Sequence, residues 1–328
     1  MPPLILSLAE QFRQQLIDRE NVASVQMGRA WLDIERRLDA SIHALAMEIA
    51  AMDRPTPNQI RRLRRYRILM EQAIDEVAKY ADAVGTDIVE RGVGTAALGW
   101  NHASLLTETA ISAVPGIAVE FNRLPVPAVE HLAGFARPDA PLRGVLASAA
   151  GTGVDALAAE LVAGAALGRN PNAIARQALR NGLGRAYTRL QTIARTETLR
   201  AYRAAALDNY RQSNVVTGYR RVASKSARTC IACLAVDGRE YPLDVPFEEH
   251  PNGRCLAVPI VIGRSYDGML TGQQWFDQQP ETTQREIMGA ERYALWRAGR
   301  VEWGQLASLH ENETWGNHWR PTPVEQLR

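Results

Sequence analysis

All three cysteines of the chain fall in one short stretch that also holds a histidine, written Cys230-Ile-Ala-Cys233, then Asp237-Gly238-Arg239-Glu240-Tyr241, then His250-Pro-Asn-Gly-Arg-Cys255. A C-x-x-C pair and a later H-x-x-x-x-C pair each come from a turn tight enough to aim two side chains at one point. Cys230, Cys233, His250 and Cys255 could therefore close a tetrahedral zinc site. Four ligands with no obvious fifth is the count of a structural site, which leaves no open position for water or substrate. Two other chemistries use the same residue types. The cysteines could be small buried hydrophobes beside a hydrogen-bonded histidine. The C-x-x-C could also be a redox pair, although such pairs open a helix after a strand, and this one leads toward the turn Asp237-Gly238.

A catalytic reading finds too few groups. His250 is the only histidine between His131 and His310, so it cannot serve both as a structural ligand and as the general base of an H-N-H type nuclease. No P-loop, nucleophile elbow, zincin helix or dinucleotide fingerprint is present in the sequence. The expectation is a binding protein that is not an enzyme, with a metal-dependent nuclease or toxin-like enzyme as the alternative. The segment Arg195-Thr-Glu197-Thr198 is no charge cluster, because residues two apart on a helix point to different sides. Arg195, with its rigid five-donor fork, is expected to tie its helix to backbone carbonyls of a small β unit.

The elements that must position these residues follow from periodicity. From Leu4 to about Met52, apolar residues recur at helical spacing, as in Phe12, Leu16, Leu38, Ile42, Leu45 and Ile49, which predicts one or two long helices. Asp53-Arg-Pro-Thr-Pro57 reads as a stop and restart, with Thr56 as N-cap and Pro57 at the first helical position. A second long helix should run to about Ala83. Gly85 to Pro141 is richer in glycine and proline, as at Gly92-Val-Gly94, Pro115-Gly116 and Pro125-Val-Pro127, and reads as short helices joined by turns. Helix returns from Val145 to about Ser213, interrupted at Arg169-Asn-Pro-Asn172. The β-branched runs Val215 to Val222 and Cys255 to Ile262 then read as strands of a small β unit, which a metal or docking on the preceding helices would stabilise. The fold class is mainly helical α+β.

At 328 residues, 46% hydrophobic and 23% charged, the composition is that of a globular chain large enough for two or three packed units. A net charge of +2 is too mild for a dedicated nucleic-acid binder. Any DNA contact would be local, and the densest basic run, Arg61, Arg62, Arg64, Arg65 and Arg67, is the candidate. A solvated helix face flanking Leu63 and Tyr66 accounts for the same run. Three cysteines do not make a secreted disulfide framework, so a reducing compartment is expected. The N-terminus lacks the basic region of a signal peptide. The alanine-rich run Gly144 to Leu167 is interrupted by Asp155 and Glu160, and no membrane association is expected. The last 64 residues hold five of the seven tryptophans and read as helices ending in an irregular tail. Trp275, Trp296 and Trp303 suit core filling, whereas Trp315 and Trp319 suit anchoring to a partner.

The ordered set of Ala194-Arg-Thr-Glu-Thr198, a strand ending in Gly218-Tyr-Arg220, Arg228-Thr-Cys-Ile-Ala-Cys233, Asp237-Gly238, Tyr241-Pro242 and His250-Pro-Asn-Gly-Arg-Cys255 resembles the phage Mu F-like minor head proteins, over roughly Gly144 to Gly263. The later pattern Gln284 to Trp296 with Gly299 is also similar to phage members. The family often reads His-Pro-x-Cys-Arg-Cys where this chain has Asn252-Gly253 before Arg254-Cys255, so one cysteine is missing and four ligands remain. The resemblance implies a head morphogenesis protein of a tailed phage, inside the virion head and in the host cytoplasm during assembly. Its partners would be the portal and other capsid proteins, and it would act in head assembly and DNA delivery without catalysis. A plain DNA-binding protein is a further alternative. The expected organisation is a helical region over 1–140, a Mu F-like domain over 141–263 and a tryptophan-rich tail over 264–328.

Overall fold

A computed structural model describes residues 4–112, 142–263, 266, 269–312 and 315–328. The chain is mainly helical, with small antiparallel sheets, so the α+β reading holds. Helix α1 (Leu4–Ala50) is one uninterrupted 47-residue helix. Thr56 caps α2 (Pro57–Arg62) in a reciprocal box with Gln59, and Pro57 occupies the first turn, satisfying backbone donors that would otherwise be orphaned. Leu63 then turns extended, and α3 (Arg64–Ile111) begins.

Helix α3 corrects the expectation of an end near Ala83 and of short helices beyond it. It continues straight through Gly85, Gly92, Gly94 and Gly99. Each glycine costs about 1 kcal/mol of helix propensity. Burial of Ile88, Ala96, Trp100, Ala103 and Leu106 along the same helix outweighs that cost. Gly99 has a packing reason, since a Cβ there would stand 2.3 Å from the Tyr202 carbonyl oxygen. The turns expected at Pro115-Gly116 and Pro125-Val-Pro127 lie outside the described residues.

The interruption expected at Arg169–Asn172 separates α4 (Leu142–Ala166) from α5 (Pro171–Gln177), which Asn170 caps. A π-helical turn, Ala178–Leu183, leads into α6 (Gly184–Gln212). Strand β1 (Val216–Val222), a short helix α7 (Ile231–Ala235), β2 (Glu240–Pro242) and β3 (Leu256–Val261) follow. Helices α8 (Gly272–Asp277), α9 (Glu281–Met288) and α10 (Ala290–Arg297) lead to strands β4 (Ala307–His310) and β5 (His318–Pro321). The C-terminal part is therefore not irregular: β4 and β5 pair antiparallel, Ser308 opposite Arg320 and Leu309 opposite Trp319.

Two compact units each combine separate stretches of the chain, one the described residues of 18–91 and 135–197, the other those of 1–17, 92–134 and 198–328. In the first, Trp31, Ile34, Leu38 and Ile42 of α1 and Leu69, Val77 and Tyr80 of α3 are buried, and the Tyr80 hydroxyl donates to the Met27 carbonyl at 3.0 Å. Helix α4 is long and apolar enough to cross a membrane by length and composition alone, although Asp155 and Glu160 interrupt it. In this fold Leu146, Val154, Leu157 and Leu161 are buried on one side of it. Close approach there needs glycine: a Cβ on Gly182 would lie 2.5 Å from Leu157 Cα, and one on Gly153 would lie 2.2 Å from Ala186 Cβ.

In the second unit the sheet order is β2-β1-β3, all antiparallel. One core joins Phe12 and Leu16 of α1, Leu106 of α3, Tyr202 and Tyr210 of α6, and Tyr219 and Val258 of the sheet. Another joins Ile231 and Leu234 of α7 to Phe276, Met288, Tyr293 and Leu306. Between these two cores stands the cysteine and histidine block.

Candidate metal centre

The register of the sheet brings the block together. Val222 pairs with Leu256 at the ends of β1 and β3, so the next residues, Ala223 and Cys255, meet in a small buried cluster with Cys233. Beyond Ala223 the chain loops back, held by the Asp237 carboxylate, which accepts from Ala223 N at 2.6 Å and pairs with Lys225 Nζ at 2.8 Å. Gly238, at φ +82°, closes the turn by donating its N–H to the Arg221 carbonyl at 2.8 Å. Cys230 is the N-cap of α7, its Sγ accepting from Cys233 N at 3.4 Å. The C-x-x-C does open a helix, which removes the geometric argument that separated it from redox pairs.

His250 faces both sulfurs, with Nε2 3.3 Å from Cys230 Sγ and 3.1 Å from Cys233 Sγ. Its Nδ1 lies 2.8 Å from the Pro251 carbonyl oxygen. Donation to that carbonyl puts the proton on Nδ1 and leaves Nε2 as the lone-pair donor, the outer hydrogen bond typical of a metal-ligating imidazole. Zinc bonds of about 2.3 Å to sulfur and about 2.0 Å to nitrogen would separate two tetrahedral donors by roughly 3.5 Å, a few tenths beyond what is seen. Cys230, Cys233 and His250 fit the metal in type, aim and burial.

Beside the four candidate donors read from the sequence stands a carboxylate that it did not single out, that of Glu249. Ligand atoms of Cys230, Cys233 and His250 form one mutual group, those of Cys233, Glu249 and Cys255 form another, and Cys233 is common to both. Glu249 Oε1 lies 3.6 Å from Cys233 Sγ and accepts from the His250 backbone N–H at 3.1 Å, while Oε2 is paired with Arg221 Nη2 at 2.8 Å. A Cβ on Gly253 would stand 2.3 Å from the Glu249 carboxyl carbon. The carboxylate thus occupies the space that a side chain at 253 would need, where the family pattern expects a cysteine. The only sequence signal for Glu249 was its place beside His250.

Charge in this cluster is shared unevenly. Burial pushes the Glu249 carboxyl up, but Arg221 above all, with His250 and Arg203, holds it down to about 2. Burial pushes His250 down, and the hydrogen bond to Cys230 with the Glu249 charge raises it to about 10. Of the two coupled thiols, the hydrogen bond between them lowers Cys230 and raises Cys233. Without metal these shifts favour a Cys230 thiolate beside a His250 protonated on both ring nitrogens.

Arginines lock the ligand loop. Arg203 Nε donates to the Cys255 carbonyl at 3.0 Å, and its Nη2 donates to the Gly253 carbonyl. Arg13 Nε and Nη2 donate to the carbonyls of Arg254 and Val222 at 3.2 and 3.0 Å. Arg221 lies 4.5 Å over the Phe247 ring. This is the role expected of Arg195, which instead stands 3.4 Å from Glu20 and donates to the Ser24 hydroxyl at 3.1 Å. Arg203 is two helical turns further on, at the level of the sheet, and a helical pattern alone does not say which turn meets it.

The remaining candidates lie elsewhere. Arg61, Arg62, Arg64, Arg65 and Arg67 are all exposed around half-buried Leu63 and buried Tyr66, and Arg65 Nε pairs with Glu48 at 3.1 Å. Trp275, Trp296, Trp303 and Trp319 pack on the C-terminal core, and Arg239 stacks 4.8 Å over the Trp319 ring. Trp315 is half-buried, and its backbone is held at both ends, by the Asn312 carboxamide and by Arg200.

Residues 155–258 match the family model for Phage Mu protein F like protein. No curated protein and no solved structure matches the chain. The matched segment runs from α4 into β3 and contains Cys230, Cys233, His250 and Cys255 together with Glu249, Arg203 and Arg221. The likeness of this chain to known proteins is thus to the phage Mu protein F like family, over residues 155–258.

Proposed function

We propose that the protein is a minor head component of a tailed phage that binds the portal vertex and other capsid proteins from inside the head and acts in head assembly and DNA delivery. The observation that carries this reading is the family match, which spans the whole ordered signature from Arg195 to Cys255. Support for a binding role comes from α1 and α3, which present Val22, Val25, Leu32 and Ile74 to solvent, each about half exposed. Such apolar positions on long helix faces are what partner helices dock against. Trp315 belongs to the same reading, as does weak contact of the Arg61 to Arg67 run with packaged DNA. Such contact would be sequence-independent and salt-sensitive.

Zinc, in this reading, is structural, held by Cys230, Cys233, His250 and Cys255. It would clamp the start of α7 to the loop ahead of β3 and supply no reaction chemistry. The protein acts by binding and is not an enzyme. Co-expression with the portal and major capsid proteins of the same phage tests the reading: the chain should sediment with portal rings and be present in purified heads. Heads that lack it, or plasmid cutting with magnesium or zinc that His250→Ala abolishes, would overturn it.

A further inference from the structure

We infer that Glu249 is itself a metal ligand, so that the centre takes five donors, three sulfurs, one imidazole nitrogen and one carboxylate oxygen. This rests on the zinc reading above and goes beyond its ligand set. The donors fall into two groups that share Cys233, and a single ion would have to draw them together. Cys230, Cys233 and His250 form one group, Cys255 joins Cys233 in another, and the third member of that second group is Glu249. Its two oxygens are divided in function. Oε2 is paired with Arg221 at 2.8 Å, and Oε1 faces Cys233 Sγ at 3.6 Å and His250 Nε2 at 3.5 Å. The side chain is 3% exposed, and nothing at position 253 competes for the space it fills.

Charge balance supports the same assignment. Three thiolates and a carboxylate around a divalent ion carry a net charge of about −2. Burying that excess is costly unless it is compensated. Arg221 bonds the carboxylate directly, and Arg203 is buried with its Nε on the Cys255 carbonyl. An oxygen donor held by an arginine is also the harder member of a sulfur-rich set, which favours zinc or cobalt over softer ions.

Affinity alone cannot test this, because losing a mere outer-shell partner already costs roughly 10- to 100-fold in metal binding. The discriminating measurement is zinc X-ray absorption on the full-length protein, with the visible spectrum of the cobalt form. Wild type should show three sulfur and two nitrogen or oxygen donors. Glu249→Gln, which keeps a hydrogen-bond acceptor for Arg221, should lose one light donor and strengthen the cobalt bands as the site becomes tetrahedral. Glu249→Asp, which keeps the charge but withdraws the oxygen by one methylene, should do the same and guards against misfolding of the first variant. Stoichiometric zinc with identical donor counts in all three proteins would reduce Glu249 to a positioning residue. Absence of zinc from wild type would instead remove the zinc reading, and this inference with it.

A second surface carries an independent inference. Between Glu160 and Glu197 the chain has no acidic residue and six arginines. Every exposed residue from Pro171 to Leu190 is Asn172, Arg176, Arg180, Asn181, Arg185, Thr188 or Arg189. Among the described residues, no ion pair engages any of those four arginines. We infer that this face, from α5 through the π turn into α6, binds the phosphate backbone of duplex DNA. Arginine, asparagine and threonine are the side chains that donate to phosphates. A protein partner would add apolar or aromatic anchors to the arginines, and this face exposes none.

Four phosphate contacts predict a slope of log K against log salt of about −3.6, hence a roughly hundredfold loss of affinity for a random-sequence duplex between 50 and 200 mM salt. Replacing Arg176, Arg180, Arg185 and Arg189 together by glutamine should flatten that slope toward zero. The same replacement of Arg61, Arg62, Arg64 and Arg67 should flatten it only by the smaller share that their weaker contact contributes. Equal losses from both sets, or no duplex binding by wild type at low salt, would overturn the assignment.

Discussion

Arg221 and Glu249 meet at 2.8 Å with side chains only 2% and 3% exposed, which makes this the most deeply buried ion pair described in the protein. Two charges withdrawn from water gain little net stability from each other, but either one left alone is strongly unfavourable. Arg221→Met should therefore destabilise the sheet-bearing unit by about 3–5 kcal/mol. The double variant Arg221→Met/Glu249→Leu should recover part of that loss in the metal-free protein. Denaturant unfolding of the metal-free forms measures both. Equal loss in the single and double variants would show that the pair acts separately, through Phe247 and through the loop.

Cys233 is the donor common to both ligand groups. Cys233→Ser should abolish stoichiometric zinc by elemental analysis and strongly destabilise the β unit, because structural zinc contributes on the order of 10 kcal/mol. A chelator should have the same effect on wild type and no further effect on the variant. Additive effects of chelator and variant would mean that Cys233 matters for packing and not for metal.

That these cysteines and the histidine would lie together was legible in the sequence because they come from two tight local turns, and local turns leave spacing signals. Thr56, Pro57 and Asn170 were legible for the same reason, since capping is a contract between residues three apart. What could not be read is tertiary. The four glycines of α3 look like breakers until burial of Trp100 and the approach of the Tyr202 carbonyl to Gly99 are known. The choice of Arg203 over Arg195 depends on which helical turn faces the sheet. Glu249 is an ordinary acidic residue until Arg221, twenty-eight positions away, is placed against it.

Gly182 shows how tightly the π turn is bound to α4. Any Cβ there would meet Leu157 Cα at 2.5 Å and its backbone nitrogen at 2.8 Å, and backbone cannot step aside as a side chain can. Gly182→Ala should cost about 1–3 kcal/mol or more through overpacking, despite the higher helix propensity of alanine. Gly151→Ala on α4, with open space around its Cβ, should be neutral or stabilising by up to about 1 kcal/mol. Thermal unfolding of the two variants provides the comparison, and equal melting points would contradict the packing argument.

The two late tryptophans separate by the same logic. Trp319 packs on the C-terminal core and lies under Arg239, so Trp319→Ala should lower the stability of the protein by about 3 kcal/mol, as large-to-small core changes do. Trp315 is fixed through its backbone, by Asn312 at 2.8 Å and Arg200 at 3.0 Å, and alanine preserves both of those bonds. Trp315→Ala should therefore leave the unfolding midpoint within about 0.5 kcal/mol of wild type. If its indole anchors the portal, the same variant should weaken co-sedimentation with portal rings by about 2 kcal/mol, roughly thirtyfold in affinity. Unchanged capture with unchanged stability would remove Trp315 from the interface, and the apolar positions of α1 and α3 would then have to carry it.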